Sequence, residues 1–156
     1  MGALFFDADL DGDQDLYVVS GGSSFGIDSE LYQDRFYEND GLGNFSKIDV
    51  LPRFPVSGSV VTAADYDKDG FLDLFVGGRV RPGEYPLPAS SILLKNVSTN
   101  GKIGFKADEQ DINDTFDTMG MVTAALWTDF NNDTWQDIIV VGEFMAIRFF
   151  QNISGK

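Results

Sequence analysis

The sequence predicts an all-β fold assembled from three copies of one repeated unit. A loop of alternating carboxylates begins at Asp7, at Asp65 and at Asp129. Each loop runs directly into a short stretch of β-branched and aromatic residues, and such stretches are typical of strands. Because the loops recur about every 60 residues, we expect one supersecondary unit to repeat along the chain.

Each unit contains the same elements in the same order. One apolar strand precedes the acidic loop, another follows it, and a third strand further on ends in Asn. The predicted first strands cover residues 3–6, 60–64 and 124–127, the second strands 16–19, 74–76 and 138–141, and the third strands 36–39, 93–96 and 149–152. In the first two units a Gly-rich turn and the start of a fourth strand follow, at 41–45 and 101–105.

Four antiparallel strands in a unit of about 60 residues are typical of a β-propeller blade. The predicted units cover residues 1–50, 58–110 and 120–156, and the last is incomplete after its third strand. Since propellers close with four to eight blades, we expect a partial β-propeller, a single segment over residues 1–156 that belongs to a larger ring. Its open blade edges favour self-association, because an uncovered strand exposes unpaired backbone groups.

The acidic loops predict bound calcium. Carboxylates at alternate positions repel one another unless a hard cation lies among them, and Ca²⁺ accepts six to eight oxygen ligands. An EF-hand is excluded, because loop position 12 would require Glu but is Val18, Val76 and Val140 in the three copies. A strand rather than a helix follows each loop. We therefore expect calcium sites in turns that join two strands.

The pattern D-x-D-x-D-G-x-x-D-L, with an aromatic-x-Asn hairpin further on, resembles the FG-GAP/VCBS repeats of integrin α-chain propellers and their secreted bacterial relatives. The resemblance extends over nearly the whole chain. It implies that calcium is bound by the side chains at loop positions 1, 3, 5 and 9 and by the carbonyl at position 7. In this chain those positions are Asp7, Asp9, Asp11, Asp13 and Asp15, then Asp65, Asp67, Asp69, Phe71 and Asp73, then Asp129, Asn131, Asp133, Trp135 and Asp137. The third loop departs from the pattern, since Thr134 stands where Gly is tolerated best.

Composition limits the classes of partner that the chain can bind and, with the calcium loops, indicates where it functions. The net charge of −14 disfavours nucleic acid and anionic membranes, since both need clustered Lys and Arg. The chain has no Cys and no His, which excludes disulfides, zinc sites of the usual N/S type and histidine acid/base catalysis. Calcium sites without a closing Glu tend to be weak and fill only near millimolar Ca²⁺. We therefore expect an extracellular, cell-surface or periplasmic location, with the export signal outside this segment.

The loops after the second strands predict a ligand surface. They lie at the end of each blade opposite the acidic loops, and one of them carries Arg79, Arg81 and Tyr85. This mixture of cationic and aromatic side chains suits a carbohydrate, a carboxylate or a protein partner. Alternatively, these loops only cover the rim of the blade.

Two functions are consistent with these patterns. The favoured one is a calcium-stabilised extracellular module for adhesion or for ligand binding. The alternative is a fragment of a calcium-dependent propeller enzyme, such as a polysaccharide lyase. The sequence identifies no catalytic residue, because the G-x-S-x-G match at 22–26 cannot complete a triad without His.

Overall fold

A computed structural model describes residues 1–99, 101–108 and 112–155 of the chain, and these residues form three antiparallel sheets. The first sheet contains β1 (Ala3–Phe6), β2 (Asp15–Val18), β3 (Arg35–Asn39) and β4 (Phe45–Ile48). The second contains β5 (Ser57–Ala64), β6 (Asp73–Val80), β7 (Ile92–Asn96) and β8 (Phe105–Ala107). The third contains β9 (Met121–Thr128), β10 (Asp137–Glu143) and β11 (Arg148–Phe150). A 3-10 turn (Glu30–Tyr32) and a short helix, α1 (Ile112–Phe116), lie in the connections.

Strand order within each sheet follows the order of the chain, so every sheet is a simple meander. The predicted all-β fold of antiparallel blades is confirmed. Two sheets have four strands, and the described residues of the third unit form three strands. No helix in the described ranges combines the length and the apolar character that crossing a membrane would require.

Strand β6 continues past the point where the sequence predicts that it ends. A Gly pair normally weakens a strand, yet Gly77 and Gly78 both lie inside β6. Close packing explains them, because a Cβ on Gly77 would lie 2.6 Å from Cγ1 of Val122, and a Cβ on Gly78 would collide with the Ser90 carbonyl oxygen. The extension places Arg79 in the strand and not, as the sequence predicts, in the loop that follows.

The core consists of two apolar layers, each between neighbouring sheets. Between the first and second sheets, the ring centroids of Phe36 and Phe105 are 5.5 Å apart, and Phe6 packs edge-on against both rings. Between the second and third sheets, the Phe116 ring contacts Phe75 at 5.2 Å and Phe150 at 5.0 Å. The sheets therefore pack face to face, like successive blades.

Hydrogen bonds from an Asn at or just after the end of the third strand also join the second unit to the first and the third unit to the second. Asn96 Nδ2 donates to the Leu72 carbonyl of its own unit (3.2 Å) and to the Ala8 carbonyl in the acidic loop of the first unit (2.8 Å). Asn152 Nδ2 donates in the same way to the carbonyl of Gln136 (3.2 Å) and to that of Tyr66 in the second unit's loop (2.7 Å). Each of these two amides thus links its own unit by a hydrogen bond to the acidic loop of the preceding unit.

We expect Asn96→Ala to lower the free energy of unfolding by about 2 to 3 kcal/mol, because buried carbonyls lose their donor. The matched control is Asn44→Ala, which removes an exposed bond to Asp40 (2.8 Å) and should cost less than about 1 kcal/mol. Urea titration of the three proteins measures both values. Equal losses in the two variants would contradict a structural role for the bond between units.

Candidate metal centres

The three acidic loops share one backbone conformation. Counting from the first Asp, position 4 has a positive φ in each loop, with values of 66° at Leu10, 62° at Lys68 and 61° at Asn132. Position 6 also has a positive φ, 96° at Gly12 and Gly70 and 75° at Thr134. The loop is therefore closed in the same way three times, although only two copies have the Gly that this conformation favours.

The first Asp of each loop organises the turn. Asp7 accepts hydrogen bonds from the backbone N–H groups of Leu10 (2.7 Å) and Gly12 (3.0 Å). Asp65 accepts from the Gly70 N–H (3.1 Å), and Asp129 accepts from the Thr134 N–H (2.8 Å). These bonds wrap the backbone around one carboxylate, which brings the side chains at the following positions close to it.

The Asp at position 9 is buried and connects three parts of its unit. Asp73 Oδ2 accepts from the Tyr66 N–H in the loop (3.3 Å), and Oδ1 accepts from the Asn96 N–H at the end of the third strand (2.8 Å). Asp15 and Asp137 each accept the two equivalent bonds. Burial raises the pKa of Asp73 to about 7 and that of Asp15 to about 6. The sequence predicted these residues as metal ligands and gave no sign of this second, structural role.

The first two loops bring three carboxylates together. Oxygens of Asp7, Asp9 and Asp11 all lie within 4.8 Å of one another, and so do oxygens of Asp65, Asp67 and Asp73. Such a set of hard oxygen donors suits Ca²⁺. Together the two clusters include every position, 1, 3, 5 and 9, whose side chain the family resemblance implies as a ligand.

Two buried oxygens in these loops have no hydrogen-bond partner in the described part of the chain, Asp13 Oδ1 and Asp65 Oδ1. Burial, and secondarily the negative charge of Asp11, raises the pKa of both Asp9 and Asp13. Unpaired buried oxygens and crowded negative charge are costly to maintain. A divalent cation would satisfy both, so the residues present fit the metal that the pattern implies.

In the third loop, the amide at position 3 is hydrogen-bonded to the Asp at position 5. Asn131 Oδ1 accepts from the Asp133 N–H (2.9 Å), and Asn131 Nδ2 donates to Asp133 Oδ2 (2.8 Å). A hydrogen bond from the Trp135 N–H lowers the pKa of Asp133. Within the described residues, three carboxylates converge only in the first two loops. The residues of the predicted third site are therefore brought together, but with an amide at position 3 that already has protein partners.

Lys95 contacts the carboxylates of the second loop, a feature that the sequence interpretation missed. Its Nζ pairs with Asp67 Oδ2 and lies 3.4 Å from Asp69 Oδ2, and the hydrogen bond with Asp67 raises the pKa of Lys95. The equivalent residues before the Asn of the other third strands are Glu38 and Gln151. The sequence does show that the three units differ at this position, which holds an acid, a base and an amide in turn, but it does not show that the base contacts the acidic loop.

The opposite end of the sheets contains the predicted ligand residues. Arg79 pairs with Glu143 (2.8 Å), Arg81 pairs with Glu84 (2.8 Å), and the Tyr85 ring packs edge-on against Phe144 at 5.7 Å. Arg79 and Tyr85 line a cleft of about 430 Å³ near the start of β5, whereas Arg81 lines a neighbouring cleft of about 290 Å³. The structure therefore divides the three residues between two adjacent clefts.

We expect Thr134→Gly to raise the free energy of unfolding by about 1 kcal/mol, since a β-branched residue is strained at positive φ. The reverse change in the equivalent position, Gly70→Thr, should lower it by about 1 to 2 kcal/mol. A Cβ on Gly70 would meet no atom within 4 Å, so Gly70→Thr tests the backbone conformation, whereas Thr134→Gly also removes an exposed hydrogen bond from Lys68 Nζ (2.8 Å). Thermal and urea unfolding measure both variants, and changes of the same sign would contradict the shared loop conformation.

Residues 7–76 match the family model described as FG-GAP-like repeat. The match begins at the first acidic loop and ends in β6, so it contains both carboxylate clusters. No curated protein matches the chain. Residues 7–76 are therefore identified as an FG-GAP-like repeat segment.

Proposed function

We propose that the chain is a calcium-binding propeller module in which Ca²⁺ locks the turns between the first and second strands of its units. The two carboxylate clusters, each with a buried oxygen nearby that lacks a protein partner, carry this proposal. The ligands would be Asp7, Asp9 and Asp11 in one loop and Asp65, Asp67 and Asp73 in the other. Bound Ca²⁺ would supply the positive charge that offsets their mutual repulsion.

The protein residues determine what such a site stabilises. Asp73 is held by the Asn96 N–H, and the Asn96 side chain donates to the Ala8 carbonyl in the first loop. A cation bound at the second loop would therefore stabilise Asp73 and Asn96, and with them the hydrogen bond that joins the first two units. On this basis we propose that the metal has a structural role. We also propose that the module functions outside the cytosol, because weak calcium sites are filled only where Ca²⁺ is near millimolar.

We also propose that the end opposite the acidic loops binds a carbohydrate or protein ligand. The supporting feature is the cleft of about 430 Å³ lined by Arg79 and Tyr85. Its guanidinium and phenol groups can hydrogen-bond to hydroxyl and carboxylate oxygens, and the aromatic ring can pack against a sugar face. Binding is favoured over the lyase alternative because the chain has no His, and the described residues that line this cleft include no Lys, Asp or Glu that could act as a base beside Tyr85.

We expect about 10 mM Ca²⁺ to raise the melting temperature, because a ligand that binds only the folded state stabilises it by mass action. With a dissociation constant of about 0.1 to 1 mM, each site contributes about 1.4 to 2.7 kcal/mol. Asp67→Asn should reduce this response, whereas Asp49→Asn, an equal charge change at an exposed residue outside the loops, should not. Differential scanning calorimetry measures the shifts.

A second arm separates specific binding from ionic screening of the acidic chain. NaCl at the same ionic strength should raise the melting temperature less than CaCl₂, since screening does not depend on ion identity. Equal shifts in the two salts, or no shift between zero and about 10 mM Ca²⁺, would reject the proposed metal function.

We expect Lys95→Gln to increase the calcium affinity of the second loop about three- to tenfold, because the ammonium competes for the same carboxylates. Gln is the equivalent residue of the third unit, Gln151, so the strand tolerates it. The control is Lys47→Gln, which removes the same charge in β4. Isothermal titration with CaCl₂ compares the variants. An unchanged or weaker affinity in Lys95→Gln would show that Lys95 does not compete with the metal.

A further inference from the structure

A cleft of about 290 Å³ lies where loops of the first two units meet, at the end of the sheets opposite the acidic loops. The residues that line it lie between positions 27 and 118 of the chain. Tyr32, Pro55 and Pro82 in its lining are buried, and the partly buried side chains of Val56 and Val80 extend the same apolar surface. Proline restricts the backbone, so a ligand in this cleft contacts a rigid apolar floor.

The exposed part of the lining carries two carboxylates that can accept further bonds. Within the described ranges, the Asp28 carboxylate has no hydrogen-bond or ion-pair partner. Asp117 Oδ1 accepts from the Ser90 hydroxyl, whereas no described residue donates to its Oδ2. Arg81 also lines the cleft, but its guanidinium pairs with Glu84 (2.8 Å). Two negative charges therefore remain without a cation.

The loops that carry these carboxylates are held by hydrogen bonds of their own. The Tyr32 hydroxyl accepts from the Phe25 N–H (2.9 Å) and donates to the Phe25 carbonyl (3.1 Å), which closes the loop around Asp28. The hydrogen bond from Ser90 holds Asp117. Because both carboxylates are held before a ligand binds, little conformational entropy is lost in ordering them.

The apolar floor and the unpaired carboxylates together select the class of ligand. Asp28 and Asp117 would repel a ligand that carries a carboxylate. A sugar would find no exposed ring on which to stack, because the aromatic residue of the lining, Tyr32, is only 2% exposed. Lys and Arg side chains fit, since their aliphatic stems pack on apolar surface while the charged group stays at a polar rim.

We infer that this cleft takes the side chain of a Lys or Arg residue of a basic protein partner, with the cationic group paired with Asp28 and Asp117. A volume of about 290 Å³ is just below the range of about 300 to 1,000 Å³ that holds drug-sized ligands, so the cleft suits one long side chain. The net charge of −14 favours the approach of a basic partner. The inference depends on neither the calcium sites nor the cleft of about 430 Å³, so its failure would leave the proposed function standing.

Amide NMR of the ¹⁵N-labelled 156-residue chain tests the site. The probe is a capped pentapeptide with Lys at its centre and Gly elsewhere, and the comparator has norleucine, which keeps the apolar stem without the ammonium. We expect the Lys peptide to shift the amides of Ile27, Asp28 and Thr118 and to bind about tenfold more tightly than the comparator, because only the ammonium pairs with the carboxylates. About 10 mM CaCl₂ in the buffer occupies or screens the acidic loops.

Substitutions at the rim identify the charges that bind. Asp28→Asn and Asp117→Asn should each weaken binding of the Lys peptide about three- to tenfold, and Asn at position 117 can still accept from Ser90. Asp49→Asn makes the same charge change outside the cleft and should leave the affinity unchanged. Arg81→Gln should strengthen binding about two- to fivefold, since it removes a like charge. The amide spectrum of each variant verifies that it is folded.

Five results would overturn the inference. They are equal binding of the two peptides, shifts confined to amides of the acidic loops, an affinity that both rim Asp variants retain, weaker binding in Arg81→Gln, and shifts of the cleft amides by methyl glucoside but not by the Lys peptide. The first would point to an apolar ligand, the fourth to an acidic ligand and the fifth to a carbohydrate.

Discussion

A buried carboxylate at the end of each acidic loop holds the whole architecture together. Asp15, Asp73 and Asp137 begin the second strands of their units, and each accepts one hydrogen bond from the loop and one from the Asn residue at the end of the third strand. A carboxylate in this position is unfavourable unless both oxygens are satisfied. The need to satisfy it therefore fixes the loop, two strands and the Asn side chain relative to one another.

The Asn side chain extends this constraint from one unit to the next. Since its backbone is fixed by the Asp, its amide is directed at the loop carbonyl of the preceding unit, as in Asn96 to Ala8 and Asn152 to Tyr66. The apolar layers between sheets supply most of the packing energy, but apolar contacts have little directional preference. The polar link sets the position at which the layers meet, and it lies beside the carboxylates that could bind a cation.

Most of the fold follows from the sequence, because alternation and loop chemistry are local signals. The first strand was predicted with its observed bounds, Ala3–Phe6, and the acidic loops join strands as expected. Features that depend on distant neighbours were missed. Gly77 and Gly78 lie inside a strand because Val122 and Ser90 leave no room for a side chain, and the sequence gives no indication of which residues will pack there. Helix α1 is similarly stabilised by Phe116, which is buried between two sheets.

The candidate metal sites also combine features that follow from local sequence with features that depend on distant residues. The clustering of carboxylates in the first two loops follows from their spacing, because a turn closed around position 1 brings position 3 near it, and the third member of the cluster is position 5 in the first loop and position 9 in the second. Their individual electrostatics depend on residues that are remote in sequence, such as Lys95 beside Asp67. Thr134 illustrates a third case, since its backbone adopts the conformation of Gly12 and Gly70 despite its side chain. Neighbouring contacts can therefore impose a loop geometry that local preference opposes.

The three units share the buried Asp and the Asn at the end of the third strand, but they differ in the residue that precedes this Asn. The residue before the Asn at the end of the third strand is Glu38, Lys95 and Gln151 in turn, so equivalent positions of the three units hold an acid, a base and an amide. An added acid strengthens the demand for a cation, whereas a lysine partly supplies one itself. Because the buried Asp accepts its two bonds in all three units, the residue at this position can differ in charge while the packing between units is retained.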